Sequence, residues 1–131
     1  MAAEALTDIF FYGLFADPEV LRVNGDEPRA PRKAVVADWR LAIGARATLV
    51  RERGAQAFGL VYVLEEREIS ALYALPGLER YVRETASARF DDGSVHDIAV
   101  FTLPIEFVGR ENAEYAAKLH ALFERLGFPA D

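Results

Sequence analysis

Phe10-Phe11-Tyr12-Gly13-Leu14-Phe15, followed after Ala16 by Asp17-Pro18-Glu19, is the stretch on which the fold turns. Residues 8–12 read as a strand apolar on both faces, and therefore central in a sheet. The strand stops at a glycine turn. Asp17 then offers a side-chain acceptor at a helix N-cap, Pro18 takes the first helical position, and Glu19 places negative charge in the first turn. A strand that ends this way can aim several backbone N–H groups at one point, where a small anion can sit. The functional reading gives the N–H groups of Gly13, Leu14 and Phe15 a carboxylate or a developing oxyanion. The plain alternative is a turn in which Gly13 only relieves steric strain.

Outward from this junction, Asn24-Gly25-Asp26 ends the short helix, and a proline-containing loop over residues 27–31 follows. Ala34-Val35-Val36 and Trp39-Arg40-Leu41-Ala42-Ile43 read as extended, and Phe58 to Leu64 as a further strand in which Gly59 permits close backbone approach. Between them lie Arg46, Arg51 and Arg53, near Arg40. They could hold an acidic ligand, but with Glu52 interleaved the stretch 44–57 reads as a solvated loop. Glu65 to Leu75 predicts a short helix stopped by Pro76-Gly77. Tyr81 to Phe90 and Val95 to Leu103 flank Asp91-Asp92-Gly93-Ser94, a β-hairpin signature. Asn112 to Leu126 predicts the longest helix, with Tyr115, Leu119, Leu122 and Leu126 on its apolar stripe and Gly127 as its stop. The order β-α-β-β-β-α-β-β-α implies an α+β domain spanning residues 1–131, its helices packed against a curved sheet or small mixed β-barrel.

Composition narrows the function. The chain of 131 residues is 52% hydrophobic and 27% charged, long enough for one domain with a real core. A net charge of −6 speaks against nucleic acid as a partner. Without cysteine there is no disulfide, thiolate nucleophile or cysteine-held metal. Met1-Ala2-Ala3-Glu4 lacks the features of a signal peptide, and no apolar run is long enough to suggest a membrane span, so a cytoplasmic protein is expected.

His96 and His120 are far apart and lack partners at metal-ligand spacing, so both read as surface histidines. Ser70, Ser87 and Ser94 lie outside any nucleophile elbow, and no phosphate-binding or dinucleotide fingerprint is present. Glu79 and Glu84 stand out among the carboxylates because they bracket Tyr81-Val82-Arg83 just after a tight helix stop. A partly desolvated carboxylate there can act as a general base; the alternative is a surface charge paired with Arg80 or Arg83.

Phe-Tyr-Gly after the first strand, then Asp-Pro-Glu-Val-Leu, the strand Phe58-Gly59-Leu60-Val61-Tyr62-Val63-Leu64, Gly77 and Tyr81-Val82-Arg83 together resemble the gamma-glutamylcyclotransferase-like (AIG2-like) family. The resemblance runs from about Asp8 to Leu103. It implies a small mixed barrel with peripheral helices, one pocket, and a γ-glutamyl substrate cyclised to 5-oxoproline with release of an amine. Because the substrate's own α-amine attacks its γ-carbonyl, such a pocket chiefly holds a bent conformer, while one carboxylate carries a proton. No cofactor or metal is implied.

The resemblance places substrate contacts at Tyr12, Gly13, Leu14, Phe15 and Tyr81. Two departures stand beside it. The family's Tyr-Gly-Ser/Thr-Leu is here Tyr12-Gly13-Leu14-Phe15, and the family's general-base Glu falls on Pro76. Glu79, three residues on, is the candidate displaced base. The expected partner is a small γ-glutamyl or amino-acid-like ligand, with the chain as a monomer or homodimer. An active cyclotransferase, a binding protein that keeps the pocket, and an interaction domain whose pocket is plugged by Leu14 and Phe15 are the alternatives.

Overall fold

The computed structural model describes residues 6–128. The sequence runs through β1 (Leu6–Phe11), α1 (Pro18–Val23), β2 (Arg29–Ile43), β3 (Ala47–Glu65), α2 (Glu66–Leu72), β4 (Val82–Phe90), β5 (Val95–Thr102) and α3 (Ala113–Leu126). Short 3-10 turns occupy Leu14–Ala16 and Ile105–Phe107. The strands close into a barrel in the order β1-β3-β2-β4-β5. Neighbours are antiparallel except at the closure, where β1 runs parallel to β5 with Ile9 opposite Ala99. The mixed α+β barrel expected from the sequence is therefore the fold.

Ile9, Phe10 and Phe11 are all buried, so both faces of β1 are covered, as an unbroken apolar run requires. Gly59 explains how β3 lies so close: a Cβ there would stand 2.3 Å from the Phe11 carbonyl oxygen. The hairpin of β4 and β5 turns at Gly93 (φ 86°), where the Asp92 carboxylate accepts from the Ser94 N–H at 2.9 Å. At α3, Asn112 accepts from the Tyr115 N–H at 3.1 Å, Gly127 ends the helix at φ 78°, and Leu119 and Leu122 enter the core.

Two sequence expectations change. Residues 34–36 and 39–43 belong to one strand, interrupted by a bulge at Asp38, whose φ is 66° and whose carboxylate accepts from the Gly54 N–H at 3.0 Å. The bulge moves the buried positions from Ala34 and Val36 to Trp39, which disguises the strand's period of two. The stretch 44–57 is not a solvated loop: from Ala47 onward it is β3, paired with β2 from Ala47 to Arg51 and again from Gln56. Arg51, Glu52, Arg53 and Gly54 are exposed in succession, so both faces meet water and no alternation marks the strand. Arg51 lies across from Trp39, its guanidinium 4.4 Å from the ring. The stretch Met1-Ala2-Ala3-Glu4 lies outside the described residues.

Candidate functional site

The strand-to-helix junction opens onto a cavity of about 410 Å³. Residues 11–15 form one wall. The turn between β2 and β3 contributes Ala45, Arg46 and Ala47; the segment after α2 contributes Tyr73, Leu78 and Tyr81; Val20 and Tyr115 come from α1 and α3. Tyr12, Gly13, Leu14, Phe15 and Tyr81 all lie on this lining, and Leu14 and Phe15 border the space without filling it.

The junction departs from the simplest reading in one respect. A 3-10 turn stands between Gly13 and the N-cap Asp17, closed by Ala16 N–H to the Gly13 carbonyl and Asp17 N–H to the Leu14 carbonyl, each 3.0 Å. The Tyr62 hydroxyl fastens it by donating to the Ala16 carbonyl at 2.8 Å. Among the described residues, the N–H groups of Gly13, Leu14 and Phe15 enter no backbone hydrogen bond. The opening of a helical turn thus leaves uncommitted donors on residues that border the cavity. Gly13 has φ −112°, a conformation open to any residue, so backbone strain does not account for it.

Four tyrosines share the lining. Tyr12 donates to the Phe101 carbonyl at 2.5 Å and Tyr81 to the Ala47 carbonyl at 2.7 Å. Tyr73 stacks on Phe101 with ring centroids 3.9 Å apart. Burial pushes the Tyr12 phenol well up, aided by Tyr73 and Tyr81 beside it, and lifts Tyr73 far above its ordinary range. Burial, with Tyr115 adjacent and against the opposing charge of Arg46, raises Tyr81 to about 12. Tyr115 is raised as well, by burial first. These phenols are therefore neutral hydrogen-bonding groups near pH 7.

Among the described residues that line the cavity, Arg46 is the one that carries a charge. Its guanidinium donates to the Gly77 carbonyl, tying the pocket wall to the loop after α2. Gly77 suits that position through its φ of +88°, and a Cβ there would stand 2.7 Å from the guanidinium, which would have to shift. The sequence alone reads Arg46 as part of a solvated loop; with 44–57 folded as a turn and strand, it lines the cavity. Tyr115 reads from the sequence only as part of the apolar stripe of α3, and no local signal marks it or Tyr73 as a pocket residue.

Glu79 is exposed and outside the lining. Its carboxyl is held below its ordinary range, first by its own backbone N–H and then by that of Gly77, with Arg46 and Arg80 adding in the same direction. Pro76 is exposed too. Glu84 accepts from the Thr102 hydroxyl at 2.5 Å, Arg83 pairs with Glu66 at 2.7 Å, and Arg80 packs over Phe107 at 4.3 Å from the ring. His96 and His120 are exposed and lie off the lining. Among the described residues no group of three or more His, Cys, Asp or Glu could hold a metal ion, and no helix is long and apolar enough to cross a membrane.

This architecture has solved counterparts. A structure called gamma-glutamyl cyclotransferase superposes with a TM-score of 0.76 at 15% identity, over 95% of this chain and 82% of the other. A protein of Arabidopsis thaliana, solved in solution, gives 0.69 at 20% identity over 95% and 91% of the two chains. An AIG2-like protein of Mus musculus gives 0.60 at 16% over 85% and 82%. At such identities the likeness is one of fold. No curated protein matches in sequence. The sequence pattern of the family described as gamma-glutamyl cyclotransferase, AIG2-like, matches residues 9–119. With that pattern across most of its length and that fold around its pocket, the chain belongs to the gamma-glutamyl cyclotransferase, AIG2-like family.

Proposed function

We propose that this chain is a binding member of its family, holding a small amino-acid-like carboxylic acid in the tyrosine-lined cavity without cyclising it. The observation that carries this reading is the lining itself, which among the described residues contains Arg46 and four tyrosines but no Asp, Glu or His. Cyclisation of a γ-glutamyl group needs the α-ammonium to lose a proton before it can attack, and the leaving amine to gain one. A phenol at about 12, such as Tyr81, is ionised to only about one part in 10⁵ at neutral pH and cannot serve as that base. Arg46 and the uncommitted N–H groups of residues 13–15 suit a carboxylate.

A second reading has its own support. Leu78 lines the cavity, Glu79 follows it directly, and the Gly77 carbonyl is joined to Arg46. A shift of this loop would bring Glu79 toward the ligand as the displaced base of an active cyclotransferase.

Calorimetric titration with γ-glutamyl and simple amino-acid ligands, run beside an assay of 5-oxoproline release, separates the two. Saturable binding with no 5-oxoproline supports the binding reading. Turnover that Glu79→Gln abolishes would establish the enzyme and its base. Turnover that survives in Glu79→Gln would establish an enzyme with another base.

A further inference from the structure

The charge balance of the cavity selects among carboxylic acids. A free amino acid brings a carboxylate and an ammonium. The carboxylate can meet the Arg46 guanidinium and the uncommitted N–H groups of Gly13, Leu14 and Phe15. The ammonium meets no carboxylate among the described residues of the lining, and a guanidinium already stands in the wall. Stripping water from an ammonium is costly without a counter-charge, and a like charge nearby adds to the cost. Tyrosine hydroxyls and ring faces offer it dipoles and quadrupoles but no negative charge, and Tyr12 and Tyr81 already direct their hydroxyl protons to backbone carbonyls. The remaining surface, from Phe11, Phe15, Tyr73 and Leu78, suits an apolar body.

Resting on the binding reading above, we infer that the pocket is selective for acids whose α-nitrogen is uncharged, Nα-acylated amino acids with an apolar side chain, and that Arg46 sets this preference. Acylation removes the ammonium and supplies an amide carbonyl that neutral donors can meet. The carboxylate remains for Arg46. The specificity is thus partly exclusion: with no negative partner among the described residues of the lining, the zwitterion is rejected.

The test uses two matched pairs in calorimetric titration: Nα-acetyl-leucine against leucine, and Nα-acetyl-γ-glutamyl-leucine against γ-glutamyl-leucine. Neither acetylated ligand can cyclise, since its α-nitrogen is blocked. Each acetylated member is expected to bind at least about tenfold more tightly than its partner. Arg46→Gln should weaken the acetylated ligands by at least about tenfold, and Arg46→Lys, which keeps the charge but not the planar fork, should fall between. Circular dichroism of both variants establishes that they fold. A free amine that binds as tightly as its acetylated partner would overturn the inference while leaving the binding reading intact. Acetyl preference unchanged in folded Arg46→Gln would overturn the assignment to Arg46. No binding of any of the four ligands by folded protein would overturn the inference and the binding reading together.

Discussion

Gly13 and Arg46 shape the cavity at the scale of single residues. A Cβ on Gly13 would lie 3.8 Å from the Tyr115 hydroxyl and 4.0 Å from the Ala47 Cβ, which is ordinary contact. Its φ of −112° is equally permissive. Gly13→Ala is therefore expected to change folding stability by less than about 1 kcal/mol in urea unfolding. The added methyl group stands on the cavity wall, so ligand affinity should fall measurably in titration while the fold persists. The turn at Gly13, Leu14 and Phe15, which the cavity borders, was legible as a candidate because a strand, a glycine and a capped helix follow one another within ten positions. Arg46 was not, because its meaning depends on the Gly77 carbonyl, 31 residues away.

At the scale of elements, α3 is a wall of the site as much as part of the core. Its register places Tyr115 on the cavity while Leu119, a turn later, is fully buried. Leu119→Ala should cost about 2–5 kcal/mol through lost burial and the cavity left behind, read from the urea midpoint at constant m-value. The same change should weaken ligand binding, since Tyr115 rides on the loosened helix. Helix α3 was legible from its 3.6-residue period and its caps, both local properties of the chain. The long hairpin of β2 and β3 was not: a bulge at Asp38 breaks the alternation in one strand, and exposure on both faces erases it in the other.

For the whole molecule, a buried acid gives stability an unusual pH dependence. Asp26 is only 7% exposed, and one of its carboxylate oxygens lacks a hydrogen-bond partner. Burial first, and the Glu68 charge second, raise its pKa from 3.8 to about 6. Between these values the folded chain holds a proton that the unfolded chain releases. Unfolding free energy should therefore rise as pH falls from about 6 toward about 4, by up to about 3 kcal/mol before solvent screening reduces it. Glu66 acts oppositely and lower: its pKa is held near about 2, by Arg83 first and then Thr7, so its contribution disappears as pH falls below its ordinary 4.5. Urea midpoints at pH 7 and pH 5 isolate Asp26. Asp26→Asn should flatten the difference and raise stability at pH 7; an unchanged slope would assign the effect to another group.

The sequence by itself determined the features whose causes lie within a few residues: the strand that ends at Tyr12-Gly13, the Asp17 cap, the Asp92-Gly93 hairpin turn, the α3 stripe, and the ordered motifs that carry the family pattern. Backbone preference, capping and apolar period act over one or two turns and can be read directly from neighbouring side chains. Only the tertiary structure decided that four tyrosines converge, that Arg46 supplies the cavity's charge, and that Glu79 turns to solvent beside its own loop. Those outcomes follow from strand register and barrel closure, where contacts between residues far apart in the chain select one arrangement from many that local preferences allow equally.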